Sequence, residues 1–179
     1  MSESSFLNPA KLVHLAGIDP GMKVADFGVG SGFFTRAAAR AVAPAGIVWA
    51  VDIHRDILPR VKNLGLAEGL HNIEVVCGDA SYIGGTKLPD NTFDFVIIAN
   101  LLFAVECRGC VAAEAARVLK RGGKALLIDW SGSHGGLGPD ARQVVGKVDA
   151  LKFFEPAGFS VVDDLPAGAY HWGCILKKK

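Results

Sequence analysis

Val24-Ala-Asp-Phe-Gly-Val-Gly-Ser-Gly-Phe-Phe-Thr35 joins a short apolar strand to an alanine-rich helix through three glycines at alternate positions, Gly28, Gly30 and Gly32. A strand, a glycine turn and a helix in that order mark the edge of an open α/β sheet that receives a nucleotide-like ligand. Glycine is required where a Cβ would block both the turn and the ligand's close approach. The rest of the chain fits such a sheet. Outward from this segment the pattern alternates: strands at about 22–27, 47–53, 73–77, 93–99 and 124–129, with helices at about 32–43, 54–67 and 111–120. Asn8-Pro9 caps a short leading helix to about Ala16. Arg121-Gly-Gly123 reads as a helix C-cap, and Arg142 to Glu155 as a further helix. Two closing strands, Phe159 to Leu165 and Ala169 to Leu176, have no helix between them and must pair antiparallel. The expectation is a Rossmann-like, seven-stranded, mostly parallel sheet with helices on both faces and a C-terminal antiparallel hairpin.

A dinucleotide fingerprint needs a third glycine where this chain has Phe33, and pyrophosphate is opposed by an acid beneath the turn, at Asp26. An ammonium and a sulfonium suit that acid. The segment resembles motif I of the class I S-adenosylmethionine-dependent methyltransferases. Asp52, closing the second strand, can accept hydrogen bonds from ribose hydroxyls; it can equally cap the next helix. Cys77-Gly-Asp-Ala80 resembles the segment that contacts adenine in that family, which implies a role for Asp79 and Ala80, with Ile53 against the ring; a turn Asp is the alternative. Asn91-Thr-Phe-Asp-Phe-Val-Ile-Ile-Ala-Asn100 resembles motif IV, implying that the Asn100 carbonyl meets the cofactor's ammonium. Arg117-Val-Leu-Lys-Arg-Gly-Gly-Lys-Ala-Leu-Leu-Ile-Asp-Trp130 is similar to the type 11 branch, which includes the ubiquinone/menaquinone C-methyltransferases. Trp130, Gly138-Pro139, Arg142 and Gly168-Ala-Tyr-His-Trp-Gly173 resemble the ends of small type 11 proteins, although Asp140 replaces a second proline.

The resemblance implies S-adenosyl-L-methionine as cofactor and methyl transfer to an acceptor, preferably a small molecule. A protein or lipid acceptor, and a cofactor-binding protein without catalysis, remain open. An NAD-dependent oxidoreductase is disfavoured by Phe33, Asp26 and the closing hairpin. Asn100, Glu106, Trp130, His134, Tyr170 and His171 are candidates near the methyl end. His134 sits in a glycine-rich loop, 131–142, that could act as a lid. Either Tyr170 and Trp172, or else His171, faces the site.

With 179 residues, 50% of them hydrophobic and 21% charged, the chain has room for one domain and a sizeable core, preceded by an N-terminal helical extension over 1–20. A formal net charge of +1 gives no drive toward nucleic acid. No signal peptide or membrane span is evident, so a cytoplasmic location is expected. Lys177-Lys-Lys179 reads as a solvated tail. The four cysteines read as buried thiols, although Cys107-Arg-Gly-Cys110 has redox spacing; no metal site is expected. Oligomeric state is left open.

Overall fold

A computed structural model describes residues 6–179. The elements run α1 (Pro9–Leu15), β1 (Lys23–Phe27), α2 (Phe33–Val42), β2 (Ile47–Asp52), α3 (Ile57–Ala67), β3 (Ile73–Cys77), β4 (Phe93–Ala99), α4 (Arg108–Val118), β5 (Leu119–Trp130), α5 (Lys147–Phe154), β6 (Phe159–Leu165) and β7 (His171–Lys178). Seven strands form one sheet in the order β3-β2-β1-β4-β5-β7-β6. β1 to β5 pair in parallel, whereas β7 runs antiparallel to both β5 and β6.

Alternation along the strands builds two cores. Val24, Phe95, Ile97, Leu126 and Ile128 face α1, α2 and α3, where Leu12, Ala38, Val42 and Val61 are buried. Ala25, Phe27, Val96, Ile98, Ala125 and Leu127 face the opposite way, against Val111, Ala115, Ala150 and Phe154 of α4 and α5. Strands covered on both faces of a parallel sheet read as nearly continuous apolar runs, and Val24, Ala25 and Phe27, Phe95 to Ile98, and Ala125 to Ile128 do so, with Asp26 a buried exception in β1. The strand order reverses between β1 and β4, which are paired with Phe27 opposite Ile98. A crevice opens at the carboxyl ends of such a pair, and Gly28 and Asn100 stand there, one residue past each strand.

Several boundaries differ from the sequence expectation. α4 ends at Val118, because Leu119 is extended and pairs with Phe93; pairing resumes at Phe95 with Lys124, so Lys120 to Gly123 bulge out of β5 instead of capping a helix. α5 starts at Lys147, five residues late. Gly146 is extended and breaks the helix, and Gln143 folds back on Asp140 through its amide, 2.8 Å from the Asp140 carbonyl. α3 starts at Ile57, after a turn in which the Asp52 carboxylate accepts from the His54 amide. β7 begins at His171 and continues to Lys178, so two of the three terminal lysines are strand residues. Lys178 Nζ donates to the Leu119 carbonyl at 2.7 Å, which a solvated tail would not do. Cys107 and Cys110 are joined in a disulfide, and Cys77 is half-buried; only Cys174 fits the expected buried thiol. Of the leading extension, residues 1–5 lie outside the described residues.

Candidate cofactor site

The turn after β1 is held from below and from one side by two carboxylates. Asp26, 2% exposed, ends up beneath the glycines because β1 is central and both of its faces are covered. Its Oδ2 accepts from Thr35 Oγ1 at 2.5 Å. Burial is the main influence on this acid, and the charge of Asp52 acts in the same direction; together they outweigh the Thr35 hydrogen bond and push the carboxyl up to about 7. Asp52, 8% exposed at the end of β2, accepts from the Gly30 amide at 3.3 Å and the His54 amide at 3.0 Å.

Gly28 has φ 74° and approaches the β4 loop so closely that a Cβ would lie 2.9 Å from Leu101 Cδ1. Gly30, at φ 49°, is different: a Cβ there would meet no atom within 4 Å. Its missing side chain leaves open space. Asn100 also adopts a left-handed conformation, φ 55°, which Asn tolerates better than most residues. Its amide donates to the Ile128 carbonyl at 2.9 Å, while its buried Oδ1 has no hydrogen-bond partner among the described residues. A buried acceptor left unpaired is costly and signals a missing ligand or water.

Two cavities meet at this turn, and Gly28, Gly30 and Asn100 line both. The first, about 440 Å3, is completed by Asp26, Phe33, Phe34, Leu7 and Pro9. The second, about 430 Å3, is completed by Asp52, Ile53, Asp79, Ala80, Val105 and Glu106. Ile53 is 57% exposed, an apolar side chain presented to the cavity rather than to the core. Asp79 Oδ1 is engaged by the Ser81 amide at 2.7 Å and hydroxyl at 2.6 Å, so the turn role expected as an alternative is real and leaves one carboxylate oxygen for other partners.

The methyltransferase domain model matches residues 25–127, more than half of the chain and all of this site except Leu7 and Pro9. The chain belongs to the methyltransferase domain family. Among curated proteins it is similar to the ubiquinone/menaquinone biosynthesis C-methyltransferase UbiE of Burkholderia multivorans, 35% identical over 116 residues. The match covers 65% of this chain and 46% of that one, so the chain spans about half the length of the curated relatives it matches. The structure is similar to a SAM dependent methyltransferase from Aquifex aeolicus, with a TM-score of 0.86 and 27% identity, covering 98% of this chain and 92% of that one. It also resembles the [4+2]-cyclase SpnF, with a TM-score of 0.76 over 94% of this chain and 80% of that one; at 19% identity this shows the fold alone. S-adenosyl-L-methionine is the cofactor of this enzyme family, and the turn fits it: an unpaired buried acceptor, two acids and space left by Gly30.

The other candidate residues of this family member are placed elsewhere. Trp130, His134, Tyr170 and His171 line neither cavity. They form an aromatic cluster where β5 ends and β7 begins. The Trp130 and His171 rings lie 4.2 Å apart, those of His134 and Tyr170 4.9 Å, and Tyr170 meets Phe6 at 5.6 Å. Gly138 folds loop 131–142 onto Trp130; a Cβ there would lie 2.6 Å from the indole. Burial, and secondarily the charge of His134, lower His171 to about 4, so its imidazole is neutral at pH 7 and a poor proton acceptor. Trp172 points to the α5 side, where its indole donates to the Val145 carbonyl at 2.9 Å. Glu106 lines the cavity of Asp52 and Asp79, not that of Asp26. Sequence reasoning missed Asp129. Wholly buried at the end of β5, it accepts from the amides of Leu102 (2.9 Å) and Trp130 (2.8 Å) and so holds the backbone just beyond Asn100. An acid closing the apolar run Ala125 to Ile128 was the available signal.

Proposed function

We propose that this methyltransferase, a single domain over residues 1–179, binds S-adenosylmethionine across the two cavities and methylates a small-molecule acceptor. The observation that carries the reading is the shared floor: Gly28, Gly30 and Asn100 line both cavities, with Asp26 in one and Asp52 in the other. Asp26 and Asn100 face the methionine part, and Asn100 can offer Oδ1 as well as its carbonyl to an ammonium. Asp52 accepts from the ribose hydroxyls. Ile53 and Ala80 cover the adenine, and Asp79 accepts from its amino group. When bound, S-adenosylmethionine supplies a methyl group already activated by its positive sulfur. The protein's part is alignment of the acceptor and exclusion of water, effects worth at most about 7–11 kcal/mol. No general base is required unless the acceptor atom is protonated and weakly acidic. Beyond Asp26 and Asn100, which face the methionine part, Leu7, Pro9, Phe33 and Phe34 give the first cavity an apolar wall, and an acceptor held against that wall is an apolar small molecule rather than a charged one. The UbiE similarity supports the same class of acceptor.

The test is transfer of a tritiated methyl group to separated pools of metabolites, lipids, proteins and RNA. Label in the metabolite pool supports the reading; label confined to protein or RNA overturns the acceptor class.

Replacing Asp52 by Ala should weaken S-adenosylhomocysteine binding by about 1.5–3 kcal/mol, the scale of hydrogen bonds to a charged group. Calorimetric titration measures this directly, and an unchanged affinity removes Asp52 from the site. A pH effect follows from Asp26. Its raised pKa means that the folded protein holds more protons than the unfolded chain between about 4 and about 7, so this group's contribution to stability falls as pH rises through that window. A positive ligand favours the ionised acid. Binding of S-adenosylmethionine near pH 6 should therefore release a proton, and affinity should rise toward pH 7 by up to about tenfold per pH unit. Titrations in buffers of different ionisation enthalpy detect the proton, and Asp26→Asn should remove this part of the release. An equal release from the variant would assign the proton to another group.

A further inference from the structure

We propose that Cys107 and Cys110 form a redox-active dithiol–disulfide site on the rim of the second cavity. The two residues are three apart, with Cα atoms 5.2 Å apart, inside the first turn of α4. The bond therefore ties one turn of one helix to itself. It bridges no two elements of the fold, and a brace for the tertiary structure would do so. The two sulfurs differ in access: Cys107 is exposed and Cys110 half-buried. That asymmetry suits an attacking thiol and a resolving thiol. Cys107 is the N-cap of α4, its side chain makes no capping hydrogen bond, and Arg108 follows it. Partial positive charge at a helix N-terminus assists a thiol that attacks as thiolate. The remaining cysteines stand apart. Cys174 is buried, and its thiol is pushed up to about 11 by that burial; Cys77 is half-buried, with Sγ 3.8 Å from the Ile53 carbonyl.

A low-molecular-weight disulfide is the oxidant class that fits an exposed thiolate. Cys107 attacks one of its sulfurs, forming a mixed disulfide and expelling the first thiolate. Cys110, losing its proton, then attacks the Cys107 sulfur and expels the second. Two protein thiols become one disulfide, and one external disulfide becomes two thiols. The site also bears on the cofactor cavity. Ala104, Val105 and Glu106, the residues just before Cys107, line the cavity with Asp52 and Asp79. Arg108 Nε donates to the Leu102 carbonyl at 2.9 Å, at the other end of this segment. Closing the disulfide fixes where the segment enters α4, so the oxidised protein meets its ligand with a rim already ordered. This coupling, unlike the redox site, rests on the cofactor assignment above.

The experiment uses the full chain, reduced, treated with glutathione disulfide and alkylated under denaturing conditions, with intact mass as readout. Two alkylated cysteines, rising to four after dithiothreitol, are expected. Cys110→Ser should accumulate a glutathione adduct at Cys107, and Cys107→Ser should form one at Cys110 about tenfold more slowly. Four alkylated cysteines after oxidation, or no adduct on Cys110→Ser, would overturn the site. S-adenosylhomocysteine should bind the reduced protein about tenfold more weakly than the oxidised one, the effect of leaving one further rim residue to be ordered. The double serine variant should not respond to oxidant. Equal affinities in the two states would overturn the coupling. Absence of binding in both states, with the thiol counts as expected, would instead sink the cofactor assignment.

Discussion

Gly30→Val should abolish cofactor binding in a protein that still folds: S-adenosylhomocysteine affinity is expected to fall by about 100-fold or more, beyond about 2.7 kcal/mol. The space beside Gly30 is the reason for both halves of this expectation. Apart from its chain neighbours, no described protein atom lies within 4 Å of the new Cβ, so the side chain starts into open space in the free protein. Gly30 lines both cavities, so the branched side chain intrudes where the ligand must cross from one to the other. The backbone adds a smaller effect. At φ 49° a side chain costs about 1–2 kcal/mol, or about 2–8 °C in melting temperature for a chain of this size. Calorimetric titration and a circular dichroism melt separate the two. Retained affinity in a folded variant would remove the glycine turn from the site. Gly28→Val is a poorer test, because its Cβ collides with Leu101 and changes the protein as well as the cavity.

Glu114→Ala should cost about 3–5 kcal/mol of stability, a fall in melting temperature of about 6–20 °C. Glu114 is wholly buried on α4. It accepts from the Gly84 amide at 2.7 Å, the Thr86 amide at 3.2 Å and the Thr86 hydroxyl, and it pairs with Arg117 at 2.6 Å. Burial alone would raise its pKa. Hydrogen bonds from Arg117, Thr86 and Gly84, with the Arg117 charge, prevail and hold it below the ordinary carboxylate range. Its contribution is therefore present above the pKa of the unfolded chain and is lost as pH falls through the lower folded value. Truncation strands two amides and half of the Arg117 partnership in the interior. The effect should reach the cofactor as well, because the Gly85 carbonyl accepts from the Asp79 amide at 2.9 Å. Chemical denaturation measures the stability loss; a change under about 1 kcal/mol would show that the network is solvated.

Where sequence reasoning succeeded, the chemistry was local. Strands β1, β2, β3 and β4 are largely apolar runs bounded by glycine, asparagine or acid, and their period follows from side-chain alternation alone. The turn at 28–32 is dictated by residues that can take positive φ, and Asp26 and Asp52 fall at strand ends by counting. Where it failed, distant residues decided. Nothing near Leu119 says that it will leave the helix; its pairing with Phe93 does. Nothing near His171 says that it will pack on Trp130 with both ring nitrogens buried and without a partner among the described residues, which turns a candidate proton acceptor into a neutral packed ring.

The linear chain by itself determined the alternating sheet, the glycine turn and the family, because these depend on backbone freedom and on periodicity within a dozen residues. Folding alone decided which polar groups line the two adjoining cavities. Asp26, Asp52, Asp79 and Asn100 come together only because β4 lies beside β1 and strand ends are brought to one edge, where the cost of burying each charge is set by its neighbours in space rather than in sequence.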